Sequence, residues 1–135
     1  MQSSDFVPLE CALSDDLQEY TYYMCQAYYI DFDFVMALMF TESSFRTDVV
    51  SKTNDYGLMQ INKMNHEWLS KKLGITDFLD PYQNMKAGCY VLSKLIDSCD
   101  GNITKAEYTL LLEKFQELKM ELFTLNFQTQ QLKVL

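Results

Sequence analysis

Leu17, Tyr20, Thr21, Met24 and Tyr28 recur at helical spacing, just after Ser14, Asp15 and Asp16, which offer capping oxygens and negative charge to a helix start. The next stretch runs Phe32, Asp33, Phe34, Val35, Met36, Ala37, Leu38, Met39, Phe40, and is apolar on nearly every face. A helix of that kind belongs in the centre of a domain. Asp31 or Asp33 opens it, and it ends near Glu42. Residues 45–62 change character: Ser, Thr, Asp, Asn and Gly dominate, which predicts an irregular loop with a short hairpin around Asn54, Asp55, Tyr56 and Gly57. Residues 63–73 read as a surface helix with Met64, Trp68 and Leu69 inward, ended by Gly74. Asp80 and Pro81 form a strong helix start, followed by an apolar stripe of Met85, Cys89, Leu92 and Ile96. Thr104 and Glu107 fit a capping box, and Leu111, Phe115, Leu118, Leu122 and Leu125 continue at helical spacing. The chain therefore reads as mainly α, one domain, with a small loop or β-hairpin lobe beside a buried central helix.

Composition narrows the function. At 135 residues with 48% hydrophobic content, nine Phe and nine Tyr, the chain can bury a real core. A net charge of −8 argues against nucleic acid or an anionic membrane surface as the main partner. No run approaches the roughly 18 apolar residues of a spanning helix. The first residues show neither a basic leader nor an apolar segment, so any export would use a missing leader or another route. Cysteines at 11, 25, 89 and 99 and the single His66 make no metal pattern, so neither metal nor another cofactor is expected. Ten helical residues place Cys89 and Cys99 about 15 Å apart, too far to bridge. Buried free thiols are one reading; a bridge from Cys11 or Cys25 to Cys89 or Cys99 is the other. His66 reads as an exposed helix residue and no ligand.

Glu42 carries the chemistry. A carboxyl at the end of a buried helix is partly desolvated, which disfavours its charged form. A carboxylic acid that keeps its proton near neutral pH is what a general acid needs. Three ordered motifs surround it: E-S-S-F at 42–45, S-K-T-N-D-Y-G-L-M-Q-I-N at 51–62 and D-P-Y-Q-N-M-K-A-G-C-Y-V-L at 80–92. Together they resemble the soluble lytic transglycosylase domain of the lysozyme-like superfamily, to which goose-type lysozymes also belong. The resemblance runs over 7–106.

That resemblance implies a lysozyme-like α+β fold and a bacterial or phage enzyme of the cell wall or a secretion apparatus. It implies cleavage of the MurNAc–GlcNAc bond of peptidoglycan, with an anhydro-muramic product. The matching glutamate is then the sole acid/base, so Glu42 takes the catalytic role. Ser51 and Gln60 match positions lining the sugar groove, and Tyr90 beside the N-M-K-A-G motif joins the substrate-binding set. The plainer readings are a turn residue for Ser51, a polar residue opening the next helix for Gln60, and packing for Tyr90. Gly57 serves a tight turn and Met59 the core, both structural. Asp48 and Asp55 are the nearby carboxylates, but loop aspartates are more often turn formers. The partners implied are glycan strands, bound by a monomer.

The departure lies at 107–135. Family members carry A-L-x-A-Y-N-x-G there, whose tyrosine and asparagine help form the active site, whereas this chain reads E-Y-T-L-L-L-E-K-F. Tyr108 falls early and lacks the asparagine. Residues 107–135 are a divergent helical tail packed on the same domain, either genuine or the product of a shifted reading frame, and its divergence weakens catalysis. Two alternatives stand beside the transglycosylase: lysozyme-type hydrolysis of the same bond, and an inactive peptidoglycan-binding or assembly protein.

Overall fold

The computed structural model describes residues 6–97. The capping box at 104–107, the leucine stripe, Cys99, the boundary at 106 and the tail at 107–135 lie outside the described residues.

Helix α1 spans Asp15–Tyr28, and the Leu17 N–H donates to Ser14 Oγ at 3.3 Å, as its capping sequence predicts. Its polar Gln18 is fully buried. That amide gathers the preceding strand of chain: its Nε2 donates to the carbonyls of Leu9 (3.0 Å) and Leu13 (2.9 Å), and its Oε1 accepts from Leu9 N (2.8 Å). Left-handed Tyr29 ends the helix.

Helix α2 spans Phe32–Ser43 and forms the middle of the core. Phe34, Val35, Met36, Leu38 and Met39 are buried, and burial of such side chains contributes about 1.5–3 kcal/mol each. Phe40 alone turns outward among the large apolar residues of this helix, 60% exposed.

The hairpin lies slightly later than predicted. Strands β1 (Asp55–Tyr56) and β2 (Ile61–Asn62) pair antiparallel, Asp55 opposite Asn62 and Tyr56 opposite Ile61, around a turn at 57–60. Val50 adds one bridge to Tyr56.

The face assigned to residues 63–73 needs correction. A 3₁₀ turn occupies Lys63–Asn65, and helix α3 begins only at His66, spanning His66–Leu73. The tighter turn rotates the residues before His66 off the helical register. Met64 is consequently 81% exposed rather than inward, and Trp68 is 44% exposed, its indole N–H donating to Asn65 Oδ1 at 2.9 Å. Leu69 is buried as expected, and Gly74 caps the helix in the left-handed conformation.

Helix α4 spans Pro81–Asp97. Asp80 Oδ2 accepts from Gln83 N at 3.0 Å, the cap that the Asp80–Pro81 pair predicts. Met85, Cys89 and Leu92 are buried; Ile96 is partly so. Helix α1 packs against both α4 and α2, and α4 also meets β2. No described helix is long and apolar enough to cross a membrane.

Candidate active site

Glu42 occupies the last turn of α2, only 5% exposed. Its helix cannot continue. Ser44 (φ 54°) and Phe45 (φ 62°) are both left-handed, and Arg46 N donates to Ser43 O at 3.0 Å. Left-handed non-glycine residues are uncommon and cost about 1–3 kcal/mol each. Asn54 (φ 63°) and Gln60 (φ 53°) add two more in the hairpin lobe. Apart from Tyr29, every such residue among those described lies between the end of α2 and the close of the hairpin turn. The buried helix therefore ends abruptly, presenting a carboxyl at its end, and a tightly turned lobe follows.

The lobe is built by polar contacts. Ser51 Oγ donates to Asp55 Oδ2 at 3.0 Å and accepts from Asp55 N at 3.1 Å. Thr53 Oγ1 also donates to Asp55 Oδ2, and Asn62 Nδ2 donates to Asp55 Oδ1 at 2.9 Å. The Asp55 carboxylate is thus fixed by three side chains, as a turn former is. Asp48 is exposed. Among the described residues, Glu42 and Asp80 differ from both: one is buried in the core, the other caps α4.

Gly57 and Met59 both lie in the turn that joins the two strands. Gly57 has φ 74°, and a Cβ there would lie 2.5 Å from Asn84 Nδ2 and 2.9 Å from Phe78 O. No other residue fits without displacing them. Met59 is fully buried and lies over Gly88, where any side chain would collide with its thioether. Gln60 is buried at the end of the same turn. Its Nε2 donates to Gly57 O (3.0 Å) and Val49 O (3.3 Å), while its Oε1 meets no hydrogen-bond partner among the described residues.

Asn84 is the residue that sequence reasoning missed. It is fully buried at the start of α4. Its Nδ2 donates to Tyr56 O and Phe78 O, each at 2.7 Å, and its Oδ1 accepts from Met59 N at 2.8 Å. One amide therefore ties both sides of the hairpin turn and the 78 loop to α4. The signal was an asparagine inside the D-P-Y-Q-N-M-K-A-G motif, one position before the apolar stripe.

His66 also differs from expectation. It is partly buried, stacked on Phe78 (3.7 Å between centroids, 7° between planes) and edge-on to Tyr56 at 4.7 Å. Its Nε2 lies 3.0 Å from Ile61 O. The ring is a wedge between the hairpin and the 78 loop, not an exposed helix residue.

Tyr90 stands apart from Ser51, Gln60, Gly57 and Met59, which share the lobe. Its ring meets Tyr28 and Trp68, each at 6.3 Å, and Lys94 Nζ sits 5.3 Å over it. It belongs to an aromatic row across α1, α4 and α3.

The chain is 30% identical over 82 residues to the membrane-bound lytic murein transglycosylase F of Pseudoalteromonas translucida (strain TAC 125), a match covering 61% of this chain and 17% of that protein. Its fold superposes on the X-ray structure of an inactive glutamate-to-glutamine mutant of the lytic transglycosylase Slt from Pseudomonas aeruginosa. The TM-score is 0.60 at 20% identity, covering 72% of this chain and 16% of that one. The chain thus spans less than a fifth of each relative's length, and the second likeness shows the fold, which is lysozyme-like. The transglycosylase SLT domain family matches residues 19–109, across α2 with Glu42, the hairpin lobe and α4, and the chain belongs to that family.

Proposed function

We propose that this chain is a peptidoglycan lytic transglycosylase that cleaves the MurNAc–GlcNAc bond, with Glu42 as its single acid/base. The observation that carries the reading is a buried Glu42 at the abrupt end of α2, inside the SLT family match, while Asp55 is already committed to its turn. Most glycosidases divide acid and base between two carboxylates. With one, the same group first protonates the glycosidic oxygen. It then takes the proton from the muramic acid's own primary hydroxyl as that oxygen attacks the anomeric carbon. The product is an anhydro-muramic end, and no water is consumed. The similar Pseudomonas aeruginosa structure is that of an inactive glutamate-to-glutamine mutant, which accords with a glutamate acid.

Gln60 and Ser51 line the sugar groove from the lobe, and Tyr90 contributes to glycan binding from α4. Amides and hydroxyls bond acetamido and hydroxyl groups without adding charge, which suits a chain of net charge −8 on a substrate that is often anionic. The place of action is the cell wall or periplasm, reached by a monomer needing no metal or nucleotide. The departure from A-L-x-A-Y-N-x-G at 107–135 lowers turnover, because the missing tyrosine and asparagine position substrate.

The test is product analysis on purified sacculi. Anhydro-muramic ends support the reading; reducing ends convert it to a lysozyme; sacculus binding without turnover converts it to a wall-binding protein.

A further inference from the structure

Helices α1 and α4 run side by side in the same direction, and their contacts form a ladder. Tyr20 meets Tyr82 with ring centroids 5.0 Å apart. Thr21 Oγ1 lies 2.7 Å from Met85 Sδ. Tyr28 meets Tyr90 at 6.3 Å. Cys25 follows Thr21, and Cys89 follows Met85, each by four residues, about one helical turn. The two cysteines therefore face each other on the rung between Thr21–Met85 and Tyr28–Tyr90. Both are buried, at 2% and 0% exposure, and both are free thiols.

From this ladder we propose that Cys25 and Cys89 are a built dithiol site, which oxidises to an intrachain disulfide stapling α1 to α4.

The contact with Cys25, and then burial, push the Cys89 thiol well above its ordinary value. A thiol so held is a poor nucleophile in the folded protein. Oxidation therefore belongs to folding, before the two helices close over the pair. The oxidant is a small-molecule disulfide. One cysteine thiolate attacks it and releases one small thiol, leaving a mixed disulfide. The second cysteine then attacks the protein sulfur of that mixed disulfide and releases the second small thiol. Two cysteine thiols are oxidised, one small disulfide is reduced to two thiols, and the two protons pass to those leaving groups. Cys11, exposed on the segment held by Gln18, is not part of the rung. The proposal rests on the α1–α4 contact alone, so its failure leaves the glycan reading untouched.

The full chain is unfolded with reductant, then refolded in a buffer of reduced and oxidised glutathione. Peptide mapping should show the peptide holding Cys25 linked to that holding Cys89, with two thiols lost and both restored by dithiothreitol. Closing the chain from 25 to 89 should raise Tm on the order of 10 °C over the reduced protein. The shift should persist in a Cys11→Ser, Cys99→Ser double variant and vanish in Cys25→Ser. Four thiols still reduced after refolding, glutathione adducts on 25 or 89, or a bridge using Cys11 or Cys99 would each overturn the proposal.

Discussion

The α1–α4 layer and the hairpin lobe solve the same problem by opposite means. In the layer, Leu17, Met85, Cys89 and Leu92 are buried by area, many small contacts share the stabilisation, and loss of one is graded. In the lobe, strands two residues long cannot hold themselves. Asn84, Gly57 and Asp55 hold them, each through contacts no other residue type reproduces. Apolar burial spreads the stabilisation of the helices over many contacts, whereas the lobe depends on single atoms. Glu42 sits at the junction, carried by the buried helix α2 and followed by the intolerant lobe.

The largest expected effect separates chemistry from both scaffolds. Glu42→Gln keeps shape and removes the acid, so turnover of sacculi should fall ~10²–10⁴-fold, since both proton transfers use one group. Thermal stability should hold or rise, because a buried carboxyl leaves the core. Turnover equal to the parent would remove Glu42 from the mechanism. Loss of turnover in Asp55→Asn, with Glu42→Gln active, would move the acid into the lobe.

Gly57→Ala attacks the lobe at its least forgiving atom. The new Cβ meets Asn84 Nδ2 and Phe78 O, and a left-handed alanine costs about 1–2 kcal/mol before that collision. A total near 3 kcal/mol is expected, read as a lower urea midpoint. A midpoint within error of the parent would show that the lobe yields more readily than its geometry implies.

What the sequence revealed follows the same division. Ser14, Gly74 and the Asp80–Pro81 pair were legible because a cap and its partner lie within a few residues. The core face of α2 was legible because it is apolar nearly all round. The position of Glu42 was legible as the carboxylate ending that run. Asn84 was not, because its partners Met59 and Tyr56 lie 25 and 28 positions away. His66 failed for a similar reason: Ile61 meets it from strand β2 and Phe78 from the loop before α4. Met64 was misplaced because the 3₁₀ turn at Lys63–Asn65 interrupts a helical register that periodicity alone carries straight through; Trp68 lies within α3, one position from the buried Leu69 and off its inward face.

Asn84→Ala and Leu92→Ala set the lobe against the layer directly. The first removes the partner of one buried and one part-buried carbonyl and of one buried N–H at once, and leaving such groups unpaired costs about 1–3 kcal/mol. Leu92→Ala in the layer should cost a similar ~2–5 kcal/mol through its cavity. The two losses should part in kind. Hydrogen exchange in Asn84→Ala should rise first at 56–62, whereas Leu92→Ala should lower protection across the helices together. Identical exchange patterns would mean that the lobe and the layer unfold as one unit.

Ser51→Ala is the smallest change and the one that decides a role. In the turn, Ser51 both donates to Asp55 Oδ2 and accepts from Asp55 N, and losing such a local pair costs about 1 kcal/mol. That alone would lower Tm by a few degrees and leave kcat/KM per folded molecule within about twofold. A groove role adds a second signature. A hydroxyl that bonds the glycan in ground and transition states alike raises KM with kcat unchanged. Ser51→Thr separates the two, since it retains the hydroxyl while adding a methyl group to a half-buried position. Restored stability with a persistently raised KM would place the residue against the sugar. Restored stability and KM together would assign it to the turn, and Gln60 would then carry groove recognition from the lobe without it.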